Sequence, residues 1–247
     1  DGSLKWYHQS GNWVRAAPCL GADGTVYIGS TSGSFHAFSP DGTRKWSYSG
    51  TGTWFPSPAC LDENGRIYVA CGEGVLHALN PSGSVRWVKQ LGVSRLDYTV
   101  PAISLRSIYL RRDDTHLLSL SLDGEDQWQF VMSTRFSRSI ITSGPTIGSD
   151  GTVYTGSGEG KLYAIQGDRP GNSPWPMFQR DSQHTGRLPF WITNQPQSQV
   201  VSDGSDTALA VGVSGNGPFS YQWRWNGTNL VDATNAVLHW TRVSLDD

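Results

Sequence analysis

The sequence predicts an all-β chain whose larger part is a β-propeller of four-stranded blades. Three observations predict it. The stretch 23–46, DGTVYIGSTSGSFHAFSPDGTRKW, returns at 64–87 as NGRIYVACGEGVLHALNPSGSVRW, at 150–165 as DGTVYTGSGEGKLYAI, and in drifted form at 107–128. Trp6, Trp46, Trp87 and Trp128 stand 40, 41 and 41 residues apart, and Tyr27, Tyr68 and Tyr109 keep the same period before Tyr154. Within each period, turn signals separate runs of strand-like alternation. A period near 40 with four short strands per unit is the pattern of a propeller blade.

Each strand follows from its residues. Val26 and Ile28 alternate with Tyr27 and Gly29, a period of two. Asp23-Gly24, Asn64-Gly65 and Asp150-Gly151 precede this strand and supply the positive φ of a tight turn. Glycine turns at 31–33, 72–74 and 158–160 lead to a strand reading Phe35-His36-Ala37-Phe38 in the first copy. A third turn, Ser39-Pro40-Asp41-Gly42 or Asn80-Pro81-Ser82-Gly83, opens the strand that carries the tryptophan. A short apolar run beside Pro18, Pro58, Pro101 or Pro145 completes the four. A four-stranded sheet cannot bury both faces alone, so blades must stack. Trp6, Trp46, Trp87 and Trp128 are therefore blade-packing residues, each ring burying on the order of 150–250 Å², about 4–6 kcal/mol gross.

Residues 1–6 match 41–46 and so form the end of a repeat whose other strands do not precede it. Blades follow at about 16–48, 55–89 and 99–130. A fourth begins near Gly144 and has no Asp-Gly-x-x-x-Trp end. The Trp175 segment is expected to supply that outer strand or to pack across the last blade. In the third blade Arg111-Arg112-Asp113-Asp114 replaces a glycine turn and reads as a drifted, solvent-exposed hairpin.

The repeat Gly-Thr-Val-Tyr, Gly-x-Leu-Tyr-Ala-Ile, Asp-Gly-x-x-x-Trp resembles that of pyrroloquinoline-quinone-like (PQQ-like) β-propellers of bacteria. The segment 175–187, WPMFQRDSQHTGR, resembles one common at the ends of such propellers. The resemblance covers residues 1–187 and implies that about four blades here belong to a seven- or eight-bladed ring. The domains are then 1–188, PQQ-like repeats; 189–196, a linker; and 197–247, which is similar to bacterial immunoglobulin-like domains. That second resemblance implies Trp223 as a buried strand tryptophan. No cysteine stands near Ala210 for an inter-sheet disulfide, and the last two strands of such a sandwich have no counterpart, so this domain is expected to be incomplete.

Composition excludes some classes. The net charge of −2 offers no basic field for nucleic acid. No apolar run approaches the ~20 residues of a membrane helix. The chain opens at Asp1 without Met or a signal peptide, which fits a processed protein or a fragment. Cys19, Cys60 and Cys71 form no metal pattern and read as buried thiols. His36 and His77 occupy a repeat position held by Tyr163, an exchange that points to packing rather than metal ligation. The aspartates beside glycine are turn residues, and Asn226-Gly227-Thr228 reads as a turn before a glycosylation site. No phosphate-cradling loop, zinc motif or nucleophile elbow is present. No catalytic, cofactor-binding or metal residues are assigned, and the chain reads as more a binder than an enzyme.

The inter-blade segments carry residues that the repeat does not demand: Trp13 and Arg15, Trp54 and Phe55, Arg95 and Tyr98, Arg135 and Arg138. They cross one propeller face, where loops on a rigid scaffold collect function. Two readings stand, a ligand face built from these eight residues or aromatics that plug gaps between blades. The functions expected are a non-enzymatic binding or scaffold propeller of an exported bacterial protein, extracellular or periplasmic, taking a protein or polysaccharide; a fragment of a quinoprotein dehydrogenase; or an outer-membrane assembly-type propeller that binds partner proteins. The dehydrogenase reading needs adjacent cysteines and a calcium set that the sequence does not show.

Overall fold

A computed structural model describes residues 2–50, 54–93, 99–113, 115–133, 144–171, 173, 175–177, 191–214 and 219–243. The chain forms two compact units, residues 1–188 and 189–247.

The first unit is a series of antiparallel sheets, each a blade. The first is β1 (Cys19–Leu20), β2 (Val26–Gly29), β3 (Ser34–Phe38) and β4 (Arg44–Ser49), in that spatial order. The second is β5 (Cys60–Leu61), β6 (Ile67–Cys71), β7 (Val75–Leu79) and β8 (Val85–Gln90). The third is β9 (Ala102–Ile103), β10 (Ser107–Arg111), β11 (His116–Ser121) and β12 (Asp126–Val131). The fourth has three strands among the described residues: β13 (Thr146–Ile147), β14 (Thr152–Gly156) and β15 (Leu162–Gln166). Register repeats as faithfully as sequence. Tyr27 faces Ala37, Tyr68 faces Ala78, Tyr109 faces Ser119 and Tyr154 faces Ala164. The first three blades also share a register shift between the third strand and the tryptophan strand.

Strand alternation sends successive side chains to opposite neighbours. In β6, Ile67, Val69 and Cys71 join a core with Tyr27, Phe35 and Ala37 of the first blade. Tyr68 and Ala70 join a second core with Ile108, Leu110 and Leu118 of the third. A third core unites Tyr109 and Leu117 with Ile147 and Val153 of the fourth blade. Blades buried on both faces cannot alternate polar with apolar, which is why β6 and β7 are apolar almost throughout.

The tryptophans lock blade to blade. The Trp46 indole N–H donates to the Pro81 carbonyl of the next blade at 2.8 Å, and its ring lies on Gly83. Trp6 repeats this on Pro40 and Gly42 at 2.9 Å, and Trp87 on Leu122 and Gly124 at 3.1 Å. The glycine is required twice over at Gly83: its φ is +85°, and a Cβ there would meet the Trp46 ring at 2.7 Å. Each lock tryptophan also packs on its own blade's tyrosine, with centroids 5.8 Å apart for Tyr27–Trp46, 6.0 Å for Tyr68–Trp87 and 5.7 Å for Tyr109–Trp128.

The described part of the Trp175 segment neither supplies an outer strand nor packs across the last blade alone. It crosses the innermost strands of the second and third blades. Leu61 N–H donates to the Trp175 carbonyl at 2.8 Å and Ile103 N–H to the Pro176 carbonyl at 2.6 Å, while Ser173 Oγ donates to the Leu61 carbonyl. Trp175 is buried with Cys19, Ala59 and Leu61, and Met177 with Ala102 and Ile147. The inner strands are two-residue edges whose N–H groups need an acceptor, and this segment provides one.

The second unit pairs β16 (Trp191–Asn194) with β18 (Gly212–Ser214), β17 (Thr207–Ala210) with β21 (Val237–Trp240), and β19 (Arg224–Trp225) with β20 (Thr228–Asn229). Residues 189–196, expected as a linker, thus contribute a strand. Trp223 is half-buried and lies outside a strand, its indole donating to the Asn235 carbonyl at 2.8 Å. It is not a buried core residue because these two-stranded sheets give it little cover: among the described residues Ala233 is this unit's one buried apolar side chain.

Candidate functional site

The face that carries the inter-blade segments also carries the turns between second and third strands, because each segment is clamped to such a turn. The Trp13 carbonyl accepts from Thr31 N–H at 2.9 Å, and the Ser10 carbonyl from Ser32 Oγ at 3.2 Å. One period later the Trp54 carbonyl accepts from Gly72 N–H at 3.0 Å. Trp13 and Trp54 therefore hold equivalent places, 41 residues apart in sequence.

Their side chains differ. Trp13 is 66% exposed, and the Arg15 guanidinium sits 4.5 Å from the centroid of its ring. A shallow hollow of about 500 Å³ runs beside it, floored by His8, Ser10 and Asn12. Trp54 is half-buried, its indole flat on Gly72, where a Cβ would sit 2.0 Å from Nε1. Phe55 leaves the ligand face altogether. It is fully buried and packs against Phe35, Tyr48 and His77 at 5.8, 6.2 and 5.4 Å between centroids. Its place between two blades is that of a plug. Arg95, Tyr98, Arg135 and Arg138 lie outside the described residues.

The histidines are structural. His77 is buried, and its Nδ1 lies 3.0 Å from the Tyr48 hydroxyl. Burial pushes its pKa down to about 4. His36 is lowered too, by burial, then by His8 and Arg44, and packs edge-on against His8 at 5.4 Å. Tyr163 takes the His77 place on the fourth blade, packing on Phe130 and donating to the Met132 carbonyl. All three cysteines are free and buried, with Cys60 Sγ donating to the Pro101 carbonyl at 2.8 Å, and burial raises each thiol well above its ordinary range. Among the described residues no group of three His, Cys, Asp or Glu gathers as a metal site would require.

The Arg111–Asp113 hairpin is not the solvent-exposed turn expected. Arg111 and Thr115 are buried. Asp113 accepts from Thr115 N–H at 2.8 Å, Thr115 Oγ1 at 2.6 Å, His116 N–H at 2.7 Å and Arg112 Nε at 3.2 Å. Burial raises the Asp113 pKa, but these donors outweigh it and hold the carboxyl down at about 2. The side chain thus does the work of the missing glycine by tying the turn together.

Stacked four-stranded blades, tryptophan locks and loops gathered on one face define a repeat-built β-propeller of the PQQ-like kind. Residues 54–245 match the family described as Outer membrane protein assembly factor BamB, and the chain belongs to that family. Among solved structures it is similar to BamB from Moraxella catarrhalis, at 15% identity and a TM-score of 0.51, covering 86% of this chain and 77% of that one. It is also similar to the computationally designed Ika8 protein, at 12% identity and a TM-score of 0.51, covering 62% of this chain and 45% of that one. At these identities the likeness is one of fold. No curated protein matches the chain in sequence.

Proposed function

We propose that this chain is a non-enzymatic, partner-binding propeller that works in the periplasm in the assembly of outer-membrane proteins. One observation carries the reading: the exposed Trp13 ring with Arg15 stacked on it, held on a rigid turn and needed by no blade for packing. Exposed aromatics beside arginine are the residue types that dominate protein interfaces. Family membership supports the choice of a protein partner over a polysaccharide. The Trp13–Arg15 pair, Trp54 and, by repeat position, Arg95, Tyr98, Arg135 and Arg138 form the contact face. The second unit, if immunoglobulin-like as its sequence resemblance implies, is a further module beside it.

The test uses purified chain as bait for detergent-solubilised outer-membrane proteins. Alanine at Arg15, Trp54, Arg95 and Arg138 together is expected to abolish capture, while alanine at Arg44 and Arg66 leaves it intact. Loss with the second set alone overturns the reading. Retention on a polysaccharide column, lost with Trp13→Ala, would transfer the same face to carbohydrate.

A further inference from the structure

Two unfinished parts of the propeller unit complement each other. The fourth blade has a tyrosine strand and a third strand but, among the described residues, no tryptophan strand beside β15. The segment 3–8 is the reverse. It occupies the place of a tryptophan strand docked on the first blade, with Trp6 bonded to Pro40 and His8 packed on Phe38 at 4.7 Å, yet it belongs to no sheet.

The open surfaces match as well. Tyr27, Tyr68 and Tyr109 are at most 4% exposed, whereas Tyr154 at the same register is 39% exposed. Phe35, Leu76 and Leu117 are fully buried, whereas their counterpart Leu162 is 76% exposed. On the first blade Val26 and Ile28 are only half-buried, although their counterparts Ile67, Val69, Ile108 and Leu110 are inaccessible. Tyr154 lacks the tryptophan that every other blade tyrosine has, and Trp6 lacks the tyrosine.

We propose that two copies of this chain close one eight-bladed ring. Segment 3–8 of each copy pairs with β15 of the other, setting Trp6 opposite Ala164 and against Tyr154. The fourth blade so completed stacks on the first blade of the copy that donated the strand. Strand addition at an open edge satisfies its backbone groups, and a two-fold axis makes both junctions alike. By the register of Ser34 with Ser49, Lys161 then lies opposite Gln9 of the other copy.

Gln9→Cys and Lys161→Cys, made on separate chains, test this. Mixed and oxidised, they are expected to give a disulfide-linked dimer, while neither does so alone. Sedimentation velocity of the unaltered chain at tens of micromolar should show a dimer. Leu162→Lys, at an exposed position that leaves the monomer's core untouched, should raise the dimer dissociation constant at least tenfold, as should Trp6→Ala. A monodisperse monomer, or a dimer that forms no cross-link in the mixture and ignores Leu162→Lys, overturns the proposal.

Discussion

His77 shows how one side chain ties a pH response to blade stacking. Unfolded, it takes up a proton near pH 6.5; folded, it resists until about pH 4. The folded pKa is the lower one, so its contribution to stability is complete above pH 6.5 and is lost as pH falls toward 4. At about 1.4 kcal/mol per pH unit, the loss is about 3 kcal/mol across that window. His36, also lowered, acts in the same direction. Asp23 and Asp113, held at about 2, lose their contributions only below about pH 4. Urea unfolding at pH 7 and pH 5 should therefore show the protein weaker at pH 5, and Tyr48→Phe with His77→Phe should remove most of the difference. Gly83 permits a cleaner separation of strain from contact. Gly83→Ala combines an unfavourable φ with a clash against Trp46, and about 2–4 kcal/mol of destabilisation is expected. Gly92→Ala, at φ +74° with nothing within 4 Å, should cost only the backbone part. Equal losses at the two sites would refute the lock at Gly83.

At the scale of elements, the axial segment is the feature that organises the inner strands. Trp175→Ala should destabilise the propeller unit by about 3–5 kcal/mol, measured by denaturant unfolding. A loss under 1 kcal/mol would mean that the backbone bonds of this segment, not its ring, hold it in place. The blade strands were legible in the sequence because their causes are local: Asp-Gly turns, two-residue periodicity and a tryptophan every 41 residues. The path of the Trp175 segment was not, since its partners are backbone N–H groups of Leu61 and Ile103, and backbone groups leave no mark in a sequence. Phe55 and Trp13 show the same limit within the candidate site. Both are aromatics in equivalent segments, and only packing distinguishes the buried plug from the exposed ring. Asp113 could have been anticipated, because an aspartate two residues before a threonine is a known turn-closing pair.

For the whole molecule the consequence is a gradient. The second and third blades are buried on both faces, and the first and fourth on one. In a stack whose units contact only their neighbours, stability is a sum of unit and interface terms, so the inner units are the best protected. Amide hydrogen exchange should be slowest in β6, β7, β10 and β11 and faster in β2 and β14. Uniform protection across all four blades would show that the faces of the end blades are covered in solution. The 189–247 unit, with Ala233 as its buried apolar side chain among the described residues, should exchange fastest of all.

The tryptophan lock also has a mechanical meaning. Each indole fastens the end of one blade to a turn in the next, so tension along the chain meets a fastening once per repeat. Pulled from its two ends, the propeller unit should lengthen in discrete, nearly equal steps. One 41-residue repeat drawn straight spans about 140 Å. An optical trap would record a ladder of such rips, with Trp46→Ala and Trp87→Ala each merging two adjacent rungs into one. The 41-residue rhythm first seen in the letters would then be read out as a length.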